Sequence, residues 1–301
     1  MKPLLTAACL AVAIAAPAQA DESFLGLDLE GSFGEGGFDR NRYVPPVTHF
    51  AFNETPFITT ELRPIYVYHD IPNDFLTDGG RIHAVAAQGR IAITDRLAFI
   101  ATTDGWADLD FNAALESSEG PLDVAAGFKY AVISDPEGGN IATVGLRYTA
   151  PLGNVEVSGI DLNGVGNGFL NPFISGAKLF EDFAVQGTLG FQIALAEDNW
   201  SFFHANLHAD YDTGFGLSPF VEANLIAPFD GGNQLPGATL TGADVFDLGA
   251  SDPQTQFTLG GGARFRLSDH ATFGAGVEAN FANRDTSVFG YRVTTDLVLH
   301  F

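Results

Sequence analysis

From residue 60 to the end of the chain, apolar and polar residues alternate with a period of two. In the last segment, one face carries Tyr291, Leu297 and Phe301, and the opposite face carries Arg292 and Asp296. A period of two is typical of strands whose two faces meet different surroundings. A strand of about ten residues that is apolar on one face and polar on the other is what a transmembrane barrel requires.

The same alternation recurs along the chain in segments of similar length. They are 60–69, 81–93, 97–104, 121–132, 141–151, 169–180, 183–194, 200–211, 216–227, 256–267, 271–281 and 291–301. The links between them alternate between short ones, such as 94–96, and longer ones, such as 105–120. Bacterial outer-membrane barrels have short periplasmic turns and longer extracellular loops. The sequence therefore predicts an all-β fold, an antiparallel, transmembrane up-and-down β-barrel of about 12 strands.

The first twenty residues differ from the rest. Lys2 precedes an apolar run from Leu4 to Ala16, and Ala18-Gln19-Ala20 has the small residues of a cleavage site. This pattern predicts a secretory signal peptide over 1–20. It favours export to the bacterial outer membrane over a soluble β-sandwich, which would also show alternation.

Residues 21–59 lack a sustained period. Glycines between Gly31 and Gly37 and the pair Pro45-Pro46 interrupt any regular element. The sequence leaves two alternatives open for this N-terminal segment, a periplasmic extension or a plug in the lumen. The predicted organisation is thus a signal peptide over 1–20, this segment over 21–59 and the barrel over 60–301.

Composition and charge narrow the class of function. The chain is 46% hydrophobic and 17% charged, and its 14 basic residues against 37 acidic ones give a formal net charge of −23. Nucleic acid is excluded as a partner, because such binding depends on basic side chains that meet phosphates.

The face opposite Phe301 predicts which side chains line the lumen. The pore-lining candidates are Arg63, Arg90, Lys129, Arg147, Lys178, His204, His208, Asp210, Glu222, Arg264, Arg266, Glu278, Arg292 and Asp296. Rings of basic side chains in a pore favour anions. Alternatively, opposite charges in a narrow barrel pair with one another and fill it. Both interpretations stay open.

Catalytic and metal chemistry are weakly indicated. His204 and His208 lie four residues apart on one strand, about 13 Å at 3.3 Å per residue, which is too far for one ion. Ser201 and His204 could form a nucleophile and base, but no hydrolase motif surrounds them. The acidic loops could bind calcium, although no EF-hand spacing is present. We therefore expect no enzyme activity, no cofactor and no metal site.

Several segments resemble a family of uncharacterised bacterial outer-membrane barrels, often grouped with the transporter family named after the meta-pathway of phenol degradation. They are 58–64, 93–101, 145–153 and 291–301. The resemblance covers roughly 57–301 and implies a barrel in the outer membrane, with transport as an expectation. The last strand, with Tyr291, Leu297, Leu299 and Phe301, also looks like the signal that barrel assembly machinery reads.

The sequence-based expectation is an outer-membrane channel, or porin-like transporter, for small solutes that diffuse passively through a mixed-charge lumen. A closed barrel with a structural or surface-binding role is the alternative, and an outer-membrane hydrolase is the third. The expected partners are outer-membrane lipid and lipopolysaccharide, the barrel assembly machinery and a small solute whose identity the sequence does not indicate.

Overall fold

A computed structural model of the chain describes residue 29, residues 31–38 and 42–242, residues 244 and 246, and residues 248–301. The predicted signal peptide over 1–20 and part of the N-terminal segment lie outside the described residues. In the described part, every regular element is a β-strand. No helix among these residues has the length and apolar character needed to cross a membrane.

Twelve antiparallel strands form a closed barrel. They are β1 (Glu61–Ile71), β2 (Gly80–Ala92), β3 (Leu97–Phe111), β4 (Val124–Asp135), β5 (Asn140–Ala150), β6 (Phe169–Leu179), β7 (Phe183–Ala194), β8 (Ser201–Tyr211), β9 (Leu217–Asp230), β10 (Gln256–Ser268), β11 (Ala271–Asn280) and β12 (Tyr291–His300). Each strand pairs with its neighbour in sequence, and β12 pairs back with β1 through partners such as Glu61 and His300. The predicted fold class is confirmed.

The two ends of the barrel differ in their connections, as the sequence predicts. Short turns such as 136–139 and 180–182 lie at one end, which we call the turn end, and longer connections lie at the opposite, loop end. Five short strands extend the loop end. Ser118–Pro121 pairs with β3, Glu156–Val157 with Ile160–Asp161, and Leu235–Leu240 runs parallel to Ala250–Pro253.

Alternate side chains along each strand meet different surroundings. In β1, Arg63, Ile65 and Val67 are buried inside, whereas Leu62 and Tyr66 are exposed outside. Exposed large apolar residues such as these occur in every barrel strand except β3, whose outward Phe99 and Trp106 are half-buried, and a wall with this exterior suits lipid rather than water. The chain's apolar content therefore lies largely on the outer surface.

Two clusters of buried apolar residues lie at the two ends of the interior. At the loop end, Phe50 and Phe52 pack with loop residues, and we call this the outer cluster. Its loop members include Phe75, Leu122, Val155, Val157, Leu162, Leu240 and Phe246, with Trp200 beside them. Near the turn end, Tyr43, Phe57 and Ile58 pack against small wall residues such as Ala98 and Ala131.

Candidate functional site

Residues 42–59, which we call the lumen segment, lie inside the barrel. Every residue from Tyr43 to Ile58 is buried. Tyr43 lies 6.0 Å from His300 at the turn end, ring centroid to ring centroid, and Phe52 lies 5.3 Å from Phe202 nearer the loop end. The segment then returns, since Phe57 lies 5.0 Å from Tyr43, and the chain continues into β1. Both ends of the segment are thus on the side of the short turns.

Glu54 is the main charged contact of the lumen segment with the wall. Its Oε1 accepts hydrogen bonds from Arg90 Nε and Lys129 Nζ, both at 2.9 Å, and its Oε2 accepts one from Arg90 Nη2 at 2.8 Å. Arg90 Nη1 also donates to Glu61 Oε1 at 2.9 Å, and Lys129 Nζ to the Thr55 carbonyl at 2.7 Å. Such charge-assisted bonds are roughly twice as strong as neutral ones.

Pro45 and Pro46 of the lumen segment contact a second cluster of charged side chains on the wall. Asp296 lies between Arg63 and Arg264, whose guanidinium groups donate to its oxygens at 2.6 to 2.9 Å. The same two arginines donate to the segment's backbone, Arg264 Nε to the Pro45 carbonyl at 2.6 Å and Arg63 Nη2 to the Pro46 carbonyl at 2.7 Å. Prolines have no N–H but keep their carbonyls, which suits a site lined by donors.

Glu222 receives the next part of the segment. It accepts hydrogen bonds from the Val47 N–H at 2.8 Å, the Thr48 N–H at 2.7 Å and the Thr48 hydroxyl. His208 Nδ1 lies 2.6 Å from the same carboxylate, and its Nε2 lies 3.2 Å from Asp210. The backbone donors of the segment therefore face acidic side chains of the wall.

Close packing at this point depends on a glycine. Thr48 lies against Gly260 of β10, where a Cβ would be 2.8 Å from the Thr48 methyl carbon. A larger residue at position 260 would displace the segment. Glycine at this position therefore permits close approach of the Thr48 side chain.

One extracellular-type loop reaches into the same network. Asp244, between β9 and β10, accepts hydrogen bonds from Arg292 Nη1 and Nη2, both at 2.7 Å, and lies 3.4 Å from His49 Nδ1. Glu278 also contacts both partners, at 3.3 Å from His49 and 3.4 Å from Arg292. Burial by itself raises the pKa of Asp244, but Arg292 more than offsets this and lowers it to about 2.

A cavity lies between the tip of the lumen segment and the loops. Its lining includes Phe50, Arg147, Asn171, Trp200 and Phe246, and its unfilled space is about 860 Å³, including its open mouth. Arg147 donates to the Ala51 carbonyl at 2.8 Å, to Thr102 Oγ1 at 3.0 Å and to the Asn171 side chain. The cavity thus combines aromatic rings with a guanidinium group.

The structure buries most of the pore-lining candidates inside the barrel, although their role in a pore stays a prediction. These buried side chains are Arg63, Arg90, Lys129, Arg147, His204, His208, Asp210, Glu222, Arg264, Glu278, Arg292 and Asp296. Arg266 continues the inward face of Arg264, but it is exposed near the turn end. Most interior charges pair with one another, as in the filled-barrel interpretation, whereas Arg147 donates to neutral groups.

The prediction for Lys178 was wrong, because its side chain lies on the outer face. Lys178 pairs with Val185, and the inward positions of β6 are occupied by Asn171, Phe173 and Ser175. Its ammonium donates to the Gly138 carbonyl at 2.6 Å in a turn. The error has a physical origin, since β6 carries apolar residues on both faces and alternation alone does not distinguish them.

Ser201 and His204 have separate hydrogen-bond partners. His204 Nε2 lies 2.9 Å from Asn171 Nδ2 and its Nδ1 3.1 Å from Asn206 Nδ2, so both ring nitrogens face amides. The Ser201 hydroxyl instead accepts the Ala194 N–H at 3.0 Å. Among the described residues, no group of three or more His, Cys, Asp or Glu is arranged to hold a metal ion.

The terminal-strand residues occupy the outer face. Tyr291 and Phe301 are exposed, Leu297 and Leu299 are half-buried, and the Phe301 N–H donates to the Thr60 carbonyl at 3.1 Å. Their role as an assembly signal stays a prediction.

Sequence reasoning missed Glu54 and His49 as contacts of the lumen. Glu54 is a single acid within the otherwise uncharged run 50–60, and such a residue in a buried segment requires a partner. That signal was available. The contact of Asp244 with Arg292 was not, because the loop that carries Asp244 has no pattern that points inward.

Comparison with solved structures shows which known folds the chain resembles. The chain is similar to the COG4313 outer membrane channel from Pseudomonas putida F1, with 16% identity and a TM-score of 0.56, over 86% of this chain and 100% of that chain. The chain is a β-barrel of the outer-membrane type. Weaker likenesses are to the NanC porin (5% identity, TM-score 0.49, 79% of this chain and 99% of that) and the KdgM porin (10%, 0.44, 79% and 99%).

No protein-family model matches the sequence of this barrel, and no curated protein matches it. The resemblance to the family named after phenol degradation therefore stays a prediction. The likeness to the COG4313 channel shows the fold alone, and the function has to be argued from the lumen itself.

Proposed function

We propose that this chain is an outer-membrane channel for small solutes, and that the lumen segment is its plug. The observation that carries the proposal is the polar contact between that segment and inward side chains of a barrel with a channel fold. In the closed state, residues 43–58 lie buried in the lumen and obstruct the path. Passive diffusion through the mixed-charge lumen then requires the segment to move.

The architecture permits this movement. The segment adds no strand to the wall, and the ladder that closes β1 on β12 is complete without it. Its departure would break hydrogen bonds of its side chains, carbonyls and N–H groups to side chains of the wall, and water or a solute can replace these. Each hydrogen bond to a charged group is worth about 1.5–3 kcal/mol, so the plug is held firmly at rest.

A disulfide between the segment and the wall tests the proposal. The Cβ of Thr48 lies 3.3 Å from the position of a Cβ at Gly260, close to the spacing of about 3.8 Å found in disulfides. The only native cysteine, Cys9, lies in the predicted signal peptide. The variant T48C/G260C, reconstituted in planar bilayers, should show channel events when reduced and few or none when oxidised.

Thr48→Cys alone provides the control, because it leaves the close packing at Gly260 unchanged, carries one of the two thiols and cannot form the bond. Equal conductance of the oxidised and reduced double variant would refute the plug. A silent bilayer in both states would refute the channel.

The alternative is a permanently closed barrel with a structural or surface-binding role. It is favoured by the outer cluster, in which loop residues such as Phe246 and Leu162 cover the lumen. The same experiment separates the two, since a closed barrel stays silent whatever the state of the disulfide.

A further inference from the structure

In the contact between Glu54 and the wall, the two cations belong to the wall and the carboxylate belongs to the lumen segment. Arg90 and Lys129 belong to β2 and β4, whereas the carboxylate that joins them belongs to the movable segment. Glu61 on the wall remains beside Arg90. Among the described residues, Glu54 is the one carboxylate that Lys129 hydrogen-bonds, so its ammonium faces the open lumen when the segment leaves.

We propose that Arg90 and Lys129 form a carboxylate-binding subsite of the open channel, and that Glu54 fills it as an internal ligand in the closed state. This inference rests on the proposed channel function and names its solute class, small carboxylates. Bidentate pairing of a guanidinium with a carboxylate is geometrically specific, and the ammonium adds a point charge.

A third cation, Arg147, lies along the same part of the wall as the subsite. Arg90, Ile100, Gly127 and Arg147 lie in one hydrogen-bonded row across β2 to β5, and Lys129 is two residues away from Gly127. Arg90 and Arg147 are thus three strand spacings apart, about 14 Å. Arg147 lines the cavity at the loop end, whereas Arg90 contacts Glu61 at the start of β1. We call these three residues the basic strip.

Arg147 is a cation whose hydrogen-bond partners among the described residues are all neutral. They are the Ala51 carbonyl, Thr102 and Asn171. The strip therefore offers an anion a charged route from the cavity to the position of Glu54.

One row of side chains on the opposite wall carries carboxylates. Glu222, Gly260 and Glu278 lie in one row across β9 to β11, half the circumference away from the basic strip. The lumen segment matches this division, since it presents Glu54 to the cations and the Val47 and Thr48 N–H groups to Glu222. A permeating carboxylate would reproduce the contact that Glu54 makes with the cations.

Competition between solute and plug follows from this arrangement. Glu54 is tethered, so its effective concentration at the subsite is high and a free carboxylate must be abundant to replace it. A carboxylate that does so weakens the closed state, and the solute itself then promotes opening.

The test exploits the size of the side chain. Glu54→Ala removes a CH2–COO⁻ group, and acetate restores those atoms almost exactly in number and charge. At constant ionic strength, replacing chloride by acetate should raise the Tm of purified E54A by about 2–4 °C, as expected for a ligand at several times its Kd. No rise in Tm would refute the subsite.

Two lysines provide matched controls. Lys129→Gln in the E54A chain removes the subsite ammonium and should abolish the effect of acetate, whereas Lys178→Gln removes an outward-facing ammonium and should leave it intact. An equal acetate effect in both double variants would refute the proposal, because acetate would then act elsewhere.

The unmodified chain gives a second measurement that does not depend on E54A folding. In planar bilayers, acetate should raise the open probability of this chain at constant ionic strength and lower that of E54A, because it competes with Glu54 in one and replaces it in the other. Channel events that respond identically to acetate and chloride would refute the subsite and spare the channel. A silent bilayer together with an acetate-dependent rise in the Tm of E54A would refute the channel and spare the subsite.

Discussion

At the scale of single residues, Asp244 connects the loop between β9 and β10 to the lumen. We call this loop the covering loop. It binds Arg292 of β12 with two hydrogen bonds of 2.7 Å and lies within 3.4 Å of His49 on the lumen segment. Removing one partner of a buried ion pair usually costs about 3–5 kcal/mol, because it leaves a charge without compensation. One loop carboxylate thus holds both the cover and the plug.

The pH dependence of this anchor follows from its pKa. The folded-state pKa of about 2 lies below the ordinary value of 3.8, so the contact stabilises the covering loop above pH 3.8 and is lost as the pH falls through 2. Trp200 lines the same cavity as Phe246 of that loop. In a Trp106→Phe chain, its fluorescence should stay constant from pH 7 to 4 and shift to the red near pH 2.

Asp244→Asn isolates this residue from other carboxylates that titrate in acid. In this variant we expect the red shift to be present already at pH 7. Superimposable pH profiles of the two chains would show that Asp244 does not anchor the loop.

At the scale of elements, the strands differ in how well their sequences define two faces. β12 has apolar residues outside and Arg292 and Asp296 inside, so the alternation identifies its faces correctly. β6 has Phe173 inside and Ile174 outside, and its faces become clear only from pairing with β5 and β7. Lys178 was misplaced for this reason.

The proposed role of the last strand in barrel assembly can be tested at Phe301. Phe301 and Phe281 are equally exposed, each at 63%, but only Phe301 ends the last strand. If the assembly machinery reads that strand, Phe301→Ser should lower the amount of folded barrel in the outer membrane several-fold, measured by heat-modifiable migration on gels. Phe281→Ser should have little effect. Equal losses in both variants would point to general destabilisation instead.

At the scale of the whole molecule, polarity is reversed relative to a soluble protein. Ion pairs such as Arg264–Asp296 are fully enclosed, whereas large apolar side chains such as Phe128 and Leu146 are exposed. Only a lipid exterior makes this arrangement favourable, since it shields apolar side chains from water and leaves the paired charges inside.

The two tryptophans of the chain report on the outer surface and on the interior of the barrel. Trp106 pairs with Val85 on the outer face, whereas Trp200 is buried beside the cavity. In bilayers whose acyl chains carry bromine, fluorescence of a Trp200→Phe chain should be strongly quenched, because Trp106 contacts lipid. A Trp106→Phe chain should be quenched little. Equal quenching in both would contradict the proposed placement of the wall in the membrane.

The sequence by itself determined the barrel, its strand number and the two kinds of connection, because alternation and loop length are local properties of the chain. The tertiary structure alone decided where residues 42–59 lie, since that segment has no period and its partners Glu222, Arg90 and Arg264 are far away in sequence. It also decided which charges meet. Complementarity between Glu54 and the basic strip exists only after the wall has closed and brought β2, β4 and β5 around one lumen.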